Sequence, residues 1–326
     1  MKVVVLLMFV LLWSGIKAQN RVFPIELQLL EKYVIEERCD IRELRNKGDY
    51  FVGLDVANQN IYAFSKDFKA LKKMGGKGNG PGEYSRITGF DVRNDSIWVI
   101  DGIKKKFILT NTERKGLSTR ELSGFVRNGI VFNGNMVYQN TLTASNDFLF
   151  TFYNQQGVKQ VWDIQNLIKE EFGEGISYIY QGNMCADDEY AVYYCRYSPY
   201  FFCFDKNGFK YAQKSIIPVK PPKGTVVKNS MFESVKLTHE YPVQTYGCIY
   251  KDDLFLLSKL IFSGEDPNYF TVDVYDVSLG KYKYSLKVPA KNADNFFVMA
   301  FLVDRDFLYV LYEDAEIQKF KMQKNG

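Results

Sequence analysis

The chain has 326 residues, with 42 basic against 38 acidic side chains and one histidine, a formal net charge of +4. So even a balance argues neither for nucleic acid nor for an acidic partner, and a single histidine excludes metal centres built on several imidazoles. The 26 Phe and 23 Tyr run in short clusters along the whole length, which is the composition of sheet core rather than of a stacking platform for bases.

Residues 1–18 come first. Lys2, an apolar run from Val3 to Trp13 and a small-residue exit at Ala18 make the three-part layout of a secretory signal peptide, so a mature chain is expected to begin near Gln19. The run is shorter than the ~20 apolar residues a bilayer requires, and no Cys follows the exit to carry a lipid. Removal of Lys2 and Lys17 lowers the net charge to +2, because residues 1–18 contain no acid. Residues 19–326 are expected to form one domain, exported to the periplasm, the cell envelope or the medium, with no membrane-spanning segment once the leader is gone.

Six segments then repeat one unit: strand, tight turn, strand ending in an aromatic or apolar residue, polar turn, third strand. They are Tyr50–Met74, Ile87–Leu122, Gly129–Asp163, Glu189–Ile217, Asp253–Val288 and Phe297–Lys321. Short strands recurring about every 40–50 residues predict an all-β, six-bladed propeller with four-stranded blades. Helical signal is confined to Ile164–Glu171 and part of the segment after Asn20. Too few residues follow Lys321 for another strand, so the sixth blade is expected to take its outer strand from Val22–Tyr33, which pairs the chain ends and removes an exposed edge.

The most specific stretch is Asp55–Tyr84. It holds a D-x-x-N-x-x-I-x-x-F run (Asp55, Asn58, Ile61, Phe64) and then the loop Gly75-Gly76-Lys77-Gly78-Asn79-Gly80-Pro81-Gly82-Glu83-Tyr84. Lys77 is followed by Gly78 and not by Ser or Thr, and the glycines alternate before a strand-like Ile87–Val92, so neither a P-loop nor a dinucleotide fingerprint is present. The loop reads as a hinge between blades, with Gly supplying positive φ and Pro81 fixing a turn.

These residues resemble the six-bladed propeller superfamily that contains the NHL repeat and TolB-like propellers, especially exported proteins of Bacteroidetes-type bacteria carrying a G-x-G-P-G-E-aromatic segment. The likeness is strong over Asp55–Tyr84 and decays afterwards. In the second unit Asp101 is kept, while Lys104 stands in the Asn position and Phe107 in the Ile position; Ile87 replaces the Pro usual in NHL repeats. The resemblance implies that the connections between blades surround the mouth of a central channel. It would place Glu83, Tyr84, Arg86, Arg127, Asn128, Tyr180, His239 and Tyr241 there as binding residues.

Catalytic signals are sparse. His239 is the one imidazole, no G-x-S-x-G elbow occurs, and the histidines that hold metals in propeller lactonases and lyases of the superfamily are missing. The expected function is non-enzymatic binding of a protein, peptide or glycan by a monomer without cofactor or metal. The alternative is a carboxylate-based hydrolase or lyase using Glu83 or Asp91 in the channel. Of the five cysteines, Cys195 and Cys203 flank Pro199 symmetrically and could meet across a hairpin, although two buried thiols are the favoured state.

Overall fold

The computed structural model describes residues 21–35, 39–80, 83–93, 96–111, 118–141, 147–168, 174–228, 233–238, 242–258, 268–291 and 297–324. Among them are 26 strands, and six four-stranded antiparallel sheets form the blades of a propeller.

The first strand, β1 (Ile25–Val34), is held back for the last blade. Blade one is β2 (Ile41–Asn46), β3 (Phe51–Asp55), β4 (Asn60–Phe64) and β5 (Ala70–Lys73); blade two is β6 (Ile87–Arg93), β7 (Ser96–Asp101), β8 (Lys106–Asn111) and β9 (Ser118–Glu121). Blade three comprises β10 (Phe125–Phe132), β11 (Asn135–Thr141), β12 (Leu149–Tyr153) and β13 (Lys159–Asp163). Two single-turn helices follow, α1 (Ile164–Leu167) and α2 (Ile176–Ile179), then blade four with β14 (Gly182–Ala186), β15 (Ala191–Cys195), β16 (Tyr200–Asp205) and β17 (Gly208–Lys214). A separate hairpin, β18 (Gly224–Lys228) with β19 (Glu233–Leu237), precedes blade five: β20 (Gln244–Tyr250), β21 (Asp253–Ser258), β22 (Tyr269–Asp276) and β23 (Tyr282–Pro289). Blade six is β24 (Val298–Asp304), β25 (Phe307–Tyr312) and β26 (Glu316–Lys324), completed by β1.

The expected closure is therefore observed: β1 runs antiparallel to β26 from Ile25 opposite Lys324 to Val34 opposite Glu316. The segment after Asn20 that carried helical signal is strand. Blade six also needs the residue ahead of β1. Arg21 sends its guanidinium into blade five, where Nε donates to Asp273 Oδ1 at 2.9 Å and Nη2 to Asp273 Oδ2 at 3.0 Å and Ser258 Oγ at 2.9 Å. Ser285 Oγ donates to the same carboxylate at 2.7 Å, and the Val22 amide donates to Tyr282 Oη at 2.9 Å. Asp273 is 1% exposed, so this bidentate pair satisfies a buried charge and locks the start of the chain across the seam between blades five and six.

The cores between blades are built from the apolar faces of the stacked sheets, as period-two alternation provides when sheets stack face to face. Phe51, Phe64, Phe68 and Tyr309 pack between blades one and six, and Phe150, Tyr193, Phe202 and Phe204 between blades three and four. The thiols of Cys195 and Cys203 are both free and buried. The turn does fall at Pro199, but Cys203 pairs with Val192 in the ladder, which leaves Cys195 out of register with it.

Candidate functional site

Motif residues build the rim of the propeller. Asp55 ends β3 fully buried, and its Oδ1 accepts the amides of Ala57 and Asn58 at 3.1 Å in the following turn and that of Asp40 at 3.3 Å on the incoming strand. The Asn58 amide group donates to Oδ2 at 2.8 Å. Asp101 repeats the device one blade on, accepting from Ser85 at 2.6 Å, Ile103 at 3.0 Å and Lys104 at 2.9 Å. The D-x-x-N signature is thus a staple that joins each middle turn to the connection arriving beside it. Lys104, standing in the Asn position, reaches instead into the glycine loop and donates to the carbonyls of Gly78 at 3.0 Å and Glu83 at 2.9 Å.

That loop is filled by its own residues. Glu83 turns its carboxylate inward and accepts the Gly80 amide at 2.8 Å. Tyr84 is fully buried beneath Gly75, where a Cβ would lie 2.8 Å from the Tyr84 ring. Tyr84 is therefore a core residue and not an exposed contact, and so is Tyr180, 3% exposed at the end of α2. Arg86 is exposed on the rim. Arg127 and Asn128 do come together: the Arg127 guanidinium lies 5.1 Å from the Tyr178 ring centre, and Asn128 Nδ2 donates to the Gly182 carbonyl at 2.7 Å, stitching blade three to blade four. His239 and Tyr241 lie outside the described residues.

The central channel has a volume of about 1790 Å³, and its walls are unequal. Blades one, four, five and six line it, blade two contributes Val92 and Arg93, and blade three contributes nothing. On the closed side β6 and β10 touch backbone to backbone, since a Cβ on Gly89 would lie 2.0 Å from the Gly129 carbonyl oxygen. Between β2 and β6 a side-chain wedge takes over. Arg45 lies 4.3 Å from the Phe90 ring centre and donates to the Phe90 carbonyl, while Arg45, Lys47 and Arg93 surround Asp91, which is 2% exposed.

At the mouth, the inner strands share a feature that composition does not reveal. The pairing register slips at Arg42, Thr88, Arg127, Thr245 and Met299, the second residue of β2 and the equivalent place in β6, β10, β20 and β24. Only β14 runs without a slip, with Asn183 at that place. A bulge bends the strand and re-aims the extra side chain. Of the bulged residues Arg42, Thr245 and Met299 line the channel, while Thr88 and Arg127 do not; Asn183 on the unbulged β14 and Arg196 from the turn after β15 join them. Asn183 Nδ2 reaches the Thr245 carbonyl at 3.5 Å, Arg42 approaches Met299 Sδ at 3.8 Å, and the Thr245 hydroxyl is buried with no partner among the described residues.

Further down the channel, burial pushes the Glu43 carboxyl up against the pull of Arg45, pushes Asp187 up despite the amides of Tyr190 and Glu189, and pushes the Lys47 ammonium down despite Asp91. Among the described residues no group of three His, Cys, Asp or Glu side chains could hold a metal ion, and no helix is long and apolar enough to cross a membrane.

A family model described as a 6-bladed beta-propeller, DUF5128, matches residues 25–230. No curated protein matches the sequence significantly. Solved structures similar in fold include a protein described as exported from Bacteroides fragilis NCTC 9343, at 14% identity and a TM-score of 0.52 over 93% of this chain and 96% of that one. A member of the DUF4221 family from Bacteroides vulgatus ATCC 8482 aligns at 13% identity and a TM-score of 0.59 over 94% and 100%. Catalytically inactive virginiamycin B lyase from Staphylococcus aureus, solved with quinupristin, aligns at 11% identity and a TM-score of 0.50 over 91% and 99%. At such identities the likeness is one of fold.

Proposed function

The chain belongs to the DUF5128 family of six-bladed β-propellers, and from that premise we propose that it is an exported, non-enzymatic binding protein that holds a protein, peptide or glycan partner at the channel mouth. One observation carries the reading: the bulges that set Arg42 and Met299 on the wall of an open channel, completed by Asn183 and Arg196. Bulges kept at one place in five blades cost ladder hydrogen bonds, and a rigid ring that presents arginine, amide and thioether groups suits a polar partner with some apolar surface. Export is supported by the leader-like residues 1–18 and by the description of the Bacteroides fragilis relative in fold.

Hydroxyl-radical footprinting of the protein after incubation with the native envelope fraction tests this. Oxidation of Met299 at the mouth should fall on complex formation while that of Met322 on β26 stays constant; equal oxidation of both, with and without partner, would contradict it.

A second reading has one observation in its favour. The raised carboxyl of Glu43 in the channel is the property of a general acid. It takes the carboxylate chemistry away from Glu83, which is folded into its own loop, and from Asp91, which is surrounded by three cations. Glu43→Gln should leave partner capture intact under the binding reading; loss of a hydrolytic or lyase activity on an envelope polymer in that variant alone would favour the enzyme.

A further inference from the structure

A second cavity of about 400 Å³ opens between blades two and three, with Arg93 on the wall it shares with the channel. Its volume falls within the range of about 300–1,000 Å³ typical of small-molecule sites. The floor is Trp98, Phe107, Leu109 and Tyr153, all half-buried, with Trp98 and Phe107 edge to face at 6.3 Å.

The repeat explains why this groove is open. In blade three, Trp162 on the outer strand stands opposite Phe150 and closes the next groove by packing on Phe204 and Phe209 of blade four at 6.0 and 6.1 Å. The corresponding place in blade two, opposite Phe107, is Arg120. An arginine cannot fill the space of an indole with apolar surface, so the aromatic floor stays uncovered and the guanidinium hangs over it, 4.8 Å from the Tyr153 ring centre.

The polar groups at hand point to the kind of ligand. Arg120 has no carboxylate partner among the described residues, whereas Arg93 at the other edge is consumed by Asp91, Asp188 and Asn133. The Trp98 indole N–H is buried with no acceptor among the described residues. The Arg120 guanidinium over the floor is a donor and a cation, so the complementary ligand is rich in acceptors and anionic. The rim carries the carboxamides of Asn133, Asn154 and Gln155. The two Asn oxygens are taken by Arg93 and the Val158 amide, and the Gln155 nitrogen by the Asn133 carbonyl, so the Asn amide nitrogens can donate to hydroxyls and Gln155 Oε1 can accept from them. We infer that this inter-blade cleft binds an acidic sugar residue, a hexuronate, with its ring on the Trp98–Phe107–Tyr153 floor and its carboxylate on Arg120. A sugar ring joins an apolar C–H face, vicinal hydroxyls and a carboxylate in one unit, which accounts for the floor, the carboxamide rim and the unpaired guanidinium together. The site is separate from the channel mouth and stands whether or not the mouth reading holds.

Beyond residue 13 the sequence has two tryptophans, Trp98 and Trp162, so emission reports the cleft directly. Protein purified after export would be titrated with glucuronate and with trigalacturonate, using galactotriose as the neutral control, by calorimetry on the unaltered protein and by fluorescence in Trp162→Phe. Saturable heat and a Trp98 emission change with a uronate, absent with galactotriose, and a tenfold or greater weakening in Arg120→Ala are expected. Arg120→Lys, which keeps the charge and loses the planar fork, should fall between. No binding of either uronate, equal binding of galactotriose, or unchanged affinity in a folded Arg120→Ala would overturn the inference.

Discussion

Two sides of the ring are held together by different means. At their inner strands blades two and three meet through Gly89 and Gly129, backbone against backbone, and between them they give the channel wall only Val92 and Arg93. Blades five and six are joined by an imported segment, with Arg21 clamped on Asp273 and β1 added to β26, and beside them the channel stands open. Where the inner strands touch backbone to backbone, the channel has no side chains with which to recognise a partner. Where blades stand apart, the space must be lined with side chains, and the charged and polar ones collect there.

The strongest way to break this comparison is to remove the imported segment. Deleting residues 21–34 strips blade six of its outer strand and leaves Asp273 buried without its cation, so the chain should fail to give a cooperative thermal transition; an unchanged melting temperature would refute the closure. Arg21→Ala isolates the clamp. Loss of one partner of a buried pair costs about 3–5 kcal/mol, read by urea denaturation, and Arg21→Ala with Asp273→Asn should recover part of the loss because no orphaned charge remains. A smaller effect is expected on the glycine side. Gly89→Ala drives a methyl into the Gly129 carbonyl and should cost about 2 kcal/mol, in the range of overpacking, while leaving partner capture at the mouth intact.

The smallest effect is one of pH. Despite partial burial, Lys66 and Asn46 hold the Asp304 carboxyl below its ordinary value. A depressed folded pKa gives stability that is present above the unfolded value and is lost as pH falls through the folded one. Asp304→Asn should therefore flatten the decline in stability between about pH 5 and pH 3. An acid limb identical to that of the parent protein would remove Asp304 from the account. Glu43 works in the opposite direction: its raised pKa favours the folded state at low pH, and that contribution fades as pH rises through the folded value.

The comparison also shows what could be read from the sequence. Strand–turn repetition gave six blades and the donated outer strand, because period-two patterning and turn residues are local. The Asp55 and Asp101 staples were visible as a motif, though their double duty, capping a turn and gripping the neighbouring connection, is a matter of three dimensions. The mouth was harder. The resemblance places Glu83 and Tyr84 at the mouth because they lie in a connection between blades, yet the loop's glycines leave room for both side chains to fold inward. Arg42, Thr245 and Met299 carry no sequence signal, since a one-residue bulge leaves no compositional mark, and neither does Asn183 on the regular β14. Arg196 lies in a turn whose place on the ring depends on which side of the channel is open, and that depends on Gly89 meeting a glycine 40 residues away.

The central claim is that recognition belongs to the open side of the mouth. It is tested most directly by parallel capture from the native envelope fraction with two folded variants: Arg42→Ala/Asn183→Ala/Arg196→Ala on the open side and Glu83→Ala/Arg86→Ala on the loop between blades one and two. The account predicts that the first loses the partner retained by the unaltered protein and the second keeps it. A partner kept by the first and lost by the second would contradict it.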